Sequence, residues 1–216
     1  AVLGTAFDVT ERKRVEAEIK QRNTELVTLQ YAGATIAASL DIRESFSDIC
    51  GELKKIIPFD RACLITSNEQ GQWFQVFALT KNYNFSEINE GECFPISGSL
   101  LEEIIKTGEP VIVNNTQTGR FWTDRVLYKE RIHARLGFPL TYKGKVLGAL
   151  TFGSEKANSF SEQCYYYLWH LAPQLAIALE NTKLFNRIKA SEERYKTLFN
   201  HAADSMVMID LNGKIL

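Results

Sequence analysis

Between Arg135 and Asn186 a strand, a tight turn, a second strand and a long amphipathic helix follow one another with almost no slack. Apolar runs flank Tyr142-Lys-Gly-Lys145, and Gly144 supplies the positive φ that a short hairpin turn needs. Ser161 then stands where a helix N-cap would, and Leu168, Leu171, Leu175, Ala178, Leu179 and Phe185 recur at helical spacing. A hairpin that runs straight into such a helix calls for an α+β layer in which helix and sheet bury their apolar faces.

The rest of the chain has the means to complete that layer. Of 216 residues 45% are hydrophobic, enough for a real core and against disorder as the main state. Lys plus Arg (25) against Asp plus Glu (26) gives a formal charge of -1, so no basic footprint points to nucleic acid or to an anionic membrane. Cys50, Cys63, Cys93 and Cys164 form no Cys-x-x-Cys pair, which argues against a zinc ribbon or a dithiol site and for reduced thiols in a cytoplasmic setting. No apolar run approaches the roughly 20 residues of a membrane span.

Val2 to Lys13 reads as a short strand passing into a polar helix start, with Asp8 or Thr10 available to cap it. From there Val15, Ile19, Arg22, Leu26, Leu29, Gly33, Ile36 and Leu40 alternate four and three apart, the spacing of a coiled-coil seam that Arg22 and Gly33 weaken. The same spacing also fits one face of a helix lying on its own domain. Asp41 is placed to cap a second helix, striped by Phe46, Ile49, Leu53, Ile56 and Ile57 and stopped at Pro58. Arg61 to Ser67 and Trp73 to Leu79 predict a hairpin around the turn-rich Asn68-Glu-Gln-Gly-Gln72. A polar loop over 80–92, a helix from about Gly98 to Thr107 ended by Gly108, and a short strand after Pro110 follow. Thr116 to His133 reads as loop with one or two helical turns.

Ile57-Pro-Phe-Asp-Arg-Ala, Ile104-Ile-Lys-Thr-Gly-Glu-Pro-Val-Ile-Val-Asn, Gly137-Phe-Pro-Leu, Lys143-Gly-Lys-Val-Leu-Gly-Ala-Leu and Phe160-Ser-Glu fall in the order of a GAF domain. The stretch from Asp41 to Asn186 resembles that family throughout, with Asn114 or Asn115 where an Asp often stands. The first residues resemble the exit of a PAS domain, and Ser191 to Leu216 resembles the opening of another. The organisation these resemblances imply is a PAS tail over 1–10, a signalling helix over 11–40, a GAF domain over 41–186, and an exit helix with a PAS beginning over 187–216. They imply an antiparallel sheet of five or six strands, with long N- and C-terminal helices packed on one face and a loop-covered pocket on the other.

Three family chemistries can be tested on these residues. Cyclic-nucleotide binders carry an Asn-Lys pair at the end of the last hairpin strand and an acidic pair after a Phe, whereas Gly153-Ser154 and Cys164-Tyr165 stand there and only Phe160 matches. Bilin binders need a Cys between Asn114 and Gly137, where there is none. Methionine-sulfoxide reductases of this fold cluster cysteines at the pocket, and Cys93 has no sequence neighbour of that kind. His133, before a core strand, is placed as a possible ligand but has no second ligand spaced with it.

The sequence therefore leads to a non-catalytic sensory module of a multidomain signalling protein such as a sensor histidine kinase. Trp73, Cys93, Asn114, Phe121, Trp122, Asp124, Tyr128 and His133 are the candidate ligand contacts, an aromatic and polar mixture suited to a small planar molecule. The cofactor, if any, is not named by any motif, and no metal site is expected. Leu26, Leu29, Ile36, Leu168, Leu171, Leu175 and Leu179 are the candidate seam of a parallel homodimer that passes a signal to an adjacent PAS or output domain. The competing expectation is a ligand-free GAF that serves as a dimerisation spacer.

Overall fold

A computed structural model describes residues 10–39, 41–80 and 87–201. The strand expected within the first nine residues and the PAS opening expected after His201 lie outside the described residues. Two units are distinguished, residues 1–179 and 180–216.

In the first unit, α1 (Thr10–Ala38) and α2 (Ile42–Leu53) precede β1 (Arg61–Ser67), β2 (Trp73–Leu79) and β3 (Cys93–Pro95). Next come α3 (Leu100–Thr107), β4 (Val111–Val113), a 3-10 turn (Thr116–Thr118), α4 (Trp122–Lys129), β5 (Ala134–Tyr142) and β6 (Lys145–Ser154). α5 (Gln163–His201) begins here and continues beyond residue 179. Within the second unit, the described residues from Glu180 to His201 are helical.

The strands form one six-stranded antiparallel sheet in the order β3-β2-β1-β6-β5-β4. The local signals act as expected. Asp41 accepts from the Arg43 amide to cap α2, Ser99 caps α3, and Gly108 ends α3 in the left-handed region at φ 71°. Lys143 (φ 48°) and Gly144 (φ 76°) make the two-residue turn, with both central φ positive, that suits the twist of a hairpin.

Because side chains alternate along a strand, the sheet has two covered faces. On one, Leu64, Leu136, Phe138, Leu150 and Phe152 pack with Phe46, Ile49 and Leu53 of α2 and with Leu168, Leu171, Leu175 and Leu179 of α5. On the other, Cys63, Ile65, Phe74, Val76 and Ala149 pack with Leu100, Leu101 and Ile104 of α3 and Leu127 of α4. An irregularity in the β1–β2 ladder between Leu64 and Ile65 leaves Phe77 as an extra residue of β2. That bulge lets Val76 serve one face while Phe77 and Ala78 serve the other.

The helical periodicity of α1 and α5 is met largely by the domain itself. Ile36, Leu168, Leu171, Leu175 and Leu179 are buried in the chain's own core, and Leu29 packs against it. Of the seven residues expected at a dimer seam, Leu26 alone stays more than half exposed, at 56%. Val15, Ile19, Leu26, Val27, Tyr31, Tyr166, Trp169 and Ile177 are the large apolar side chains these helices leave exposed in the first unit.

Candidate functional site

The sheet face beneath α3 and α4 carries two arginines where an apolar core would be ordinary. Arg61 opens β1 and Arg135 stands at the start of β5, and both pair in register with Gly153 of β6. One row across three strands therefore reads Arg61, Gly153, Arg135, with the two arginine Cα atoms two strand spacings, or about 9.5 Å, apart. The next row on the same face reads Cys63, Thr151, Gly137. The two glycines of these rows are packed over by other side chains, Gly153 by Ile132 and Gly137 by Leu100 and Ile104, which leaves Cys63 and Thr151 as the small side chains beside the two long cationic ones.

α4 closes the site from above. Asp124, fully buried in its first turn, accepts from the Phe121 amide at 3.0 Å and so caps the helix. Its other oxygen accepts from Arg135 Nη1 at 2.9 Å, and the same Nη1 donates to Thr123 Oγ1 at 2.6 Å. At the far end of α4, Glu130 forms a buried ion pair with Arg61 and also accepts from the Glu87 amide at 2.7 Å. Arg61 donates in addition to the Ile88 carbonyl at 2.9 Å. Removing one member of such a buried pair leaves an uncompensated charge, so α4 is held at both ends by interactions that are costly to break.

Between these groups lies a cavity of about 50 Å³, lined by Arg61, Cys63, Ile65, Phe74, Val76, Ile88, Thr123, Leu127, Arg135, Thr151, Phe152 and Gly153. Arg135 Nε is buried and has no hydrogen-bond partner, as does Trp122 Nε1 nearby in sequence. Burial holds the Arg135 guanidinium below its ordinary range, opposed by the Asp124 carboxylate. Burial likewise pushes the Cys63 thiol up to about 11, partly offset by Arg61. Cys63 is therefore a neutral thiol at physiological pH and a poor nucleophile. Among the described residues no group of His, Cys, Asp and Glu is arranged to hold a metal ion.

The expected ligand residues divide sharply. Asp124 reaches the cavity through Arg135. Phe121 is buried, and Trp122 stacks on Phe74 and meets Phe94 at a tilt as packing beside the site. Tyr128 and His133 meet edge to face at 5.1 Å, away from the cavity lining. Trp73 is exposed at the start of β2 and Cys93 on the edge strand β3, and Asn114 is exposed and receives the Asn158 amide on its carbonyl. The two charged members of the lining, Arg61 and Arg135, are not among the residues the sequence singles out.

Residues 39–180 match the family model described as a GAF domain. The chain belongs to the GAF-domain family. Among solved structures this GAF domain resembles that of a phosphoenolpyruvate-protein phosphotransferase from Coxiella burnetii, at 16% identity and TM-score 0.65, with 76% of this chain and 97% of that one covered. It also resembles the GAF domain of a two-component sensor histidine kinase from Bacillus halodurans, at 19% identity and TM-score 0.60, covering 68% and 99%. A third neighbour is the free methionine-R-sulfoxide reductase of Neisseria meningitidis, at 16% identity and TM-score 0.61, covering 85% and 98%. No curated protein matches the sequence. At these identities the likeness carries the fold alone. Among the described residues no helix is long and apolar enough to cross a membrane.

Proposed function

We propose that this GAF domain is a non-catalytic sensory module that binds a small molecule in the cavity beneath α4 and relays occupancy through α1 and α5 of a homodimer. The observation that carries the reading is the row Arg61, Gly153, Arg135: two buried arginines lining one cavity are expensive to maintain unless that cavity is used. A domain acting only as a spacer would be served by apolar residues at those positions. The neutral Cys63 thiol supports binding over catalysis. The likeness to a sensor-kinase GAF domain supports the same class; in this proposal the chain works in the cytoplasm as part of a signalling protein, linked to neighbouring PAS domains and to a separate output domain.

α4 couples site to scaffold in this scheme. An anionic ligand on the unused edge of Arg135 shares the guanidinium charge with Asp124, which weakens that ion pair and shifts α4. The sheet rows beneath continue into the strand residues that pack on α5 from the opposite face. The exposed apolar residues of α1 and α5, including Leu26, Tyr31, Tyr166, Trp169 and Ile177, supply the surface for a second copy. Packed helices tend to switch between discrete arrangements, so a small displacement suffices. The test is hydrogen exchange of the full chain with and without an extract of small metabolites. Protection confined to α4, β5 and α5 is expected, and unchanged exchange in all three contradicts the relay.

A further inference from the structure

The chemistry of the cavity narrows its ligand. We propose that it takes a short-chain monocarboxylate, with the carboxylate on the unused edge of Arg135 and the hydrocarbon tail against Ile65, Phe74, Val76 and Leu127. This rests on the sensory reading given above and specifies it.

Both hydrogen bonds of Arg135 leave through Nη1, while Nε is buried without a partner. In a guanidinium the Nε–H and the neighbouring Nη2–H point the same way from one edge, at a spacing that matches the two oxygens of a carboxylate. Asp124 and Thr123 thus occupy the inner corner of the group and leave the bidentate edge unused. A donor left unmet in a closed interior is costly, and an oxyanion meets it more strongly than a neutral acceptor.

The charge around this edge points the same way. Arg61 stands in the same row, and its charge works against the support that Asp124 gives Arg135, so an anion in the cavity that both arginines line relieves that repulsion. Ile132 packs directly over Gly153, where its Cγ2 would lie 2.8 Å from an added Cβ, so the room for a ligand lies beside it, next to the small Cys63 and Thr151 of the next row.

Size and lining set the rest of the molecule. A water needs roughly 10–15 Å³ of such volume, so a cavity of about 50 Å³ has room for about four heavy atoms. Acetate fills it and propionate fits with slight expansion, whereas a nucleotide or a bilin is far too large. Ile65, Phe74, Val76 and Leu127 offer the tail an apolar wall. Replacing the carboxylate by a carboxamide puts an NH₂ donor against one donor of the arginine edge, which this site is built to reject.

The experiment follows the Arg135 Nε–H resonance of the full chain in ¹H–¹⁵N spectra, assigned through bonds from its own backbone so that no variant is needed. Sodium propionate is titrated beside propionamide and sodium chloride. The expected result is a saturable shift with propionate, at least tenfold weaker binding of propionamide, and no saturation with chloride. Equal binding of propionamide overturns the anionic class and leaves the sensory reading standing. A shift reproduced by chloride also overturns the proposal. A resonance unmoved by propionate but moved by another small molecule does the same, and one unmoved by every compound of this size removes both the class and the site. Arg135→Lys, which keeps the charge but loses the fork, is expected to weaken propionate at least tenfold. Undiminished binding by that variant would contradict the bidentate contact.

Discussion

Arg61 and Arg135 face each other across Gly153, and each is tied to a different end of α4, Arg135 to Asp124 in its first turn and Arg61 to Glu130 just past its last. The eight-residue helix is therefore clamped over the cavity by two buried ion pairs rather than by apolar contacts alone. This makes the roof of the site responsive to whatever competes for either guanidinium.

Asp124→Ala removes a buried partner and a helix cap together, and is expected to cost about 3–5 kcal/mol in urea unfolding. The double variant Asp124→Leu with Arg135→Met replaces the pair by apolar groups, and should recover most of that loss while abolishing ligand binding. A double variant no more stable than Asp124→Ala would contradict the account of the pair.

The glycines of the hairpin allow a graded test. A Cβ on Gly137 would meet Leu100 Cδ2 at 2.2 Å and Ile104 Cδ1 at 2.8 Å, side chains that can shift. A Cβ on Gly148 would meet the Ile65 carbonyl oxygen at 2.0 Å, which is backbone within the sheet. Gly137→Ala should cost about 1–3 kcal/mol and Gly148→Ala more, since a ladder cannot move aside as a leucine can. Equal melting temperatures for the two variants would count against this order.

Thiol chemistry should separate the four cysteines. Cys93 is exposed, whereas Cys50, Cys63 and Cys164 are buried. Alkylation of the native chain at pH 8 should stop at one adduct, on Cys93, and reach four in denaturant, as read by intact mass. Burial raises the folded pKa of Cys63 from 9.0 to about 11, so its neutral form is favoured by folding. The corresponding stability is fully present below about pH 9 and is lost as pH rises through 11. Cys63→Ser should flatten that alkaline decline.

Association and stability should respond to different residues on the same helices. Leu26→Asp and Ile177→Asp alter exposed positions, and should weaken dimerisation in sedimentation equilibrium with little effect on urea midpoints. Leu171→Ala opens a cavity in the core and should cost about 2–5 kcal/mol. Dimerisation left unchanged by both aspartates would place the interface elsewhere.

Much of this was legible in the sequence because local signals and tertiary structure agree. Asp41, Gly108 and the Lys143-Gly144 turn mark boundaries through backbone chemistry that no packing overrides. Leu168, Leu171, Leu175 and Leu179 show where periodicity stops being informative: it identifies a buried face but not what buries it, and here the sheet does. β3, three residues on a sheet edge, is too short to alternate visibly. Arg61 and Arg135 escaped for a related reason. An arginine that alternates with apolar residues in a strand ordinarily marks the solvent side, and only α4 folded over that side turns both into cavity residues. Asp124 stands out in the sequence because it sits in an aromatic and polar segment, but its partner Arg135, eleven residues on, does not.

The most direct test is native mass spectrometry of the wild-type chain and Arg135→Gln, each incubated with the same small-metabolite extract. The account predicts a dimer carrying a discrete low-mass adduct in the wild type and a bare dimer in the variant. Bare chains in both, or the same adduct on both, would contradict a ligand site built on Arg135.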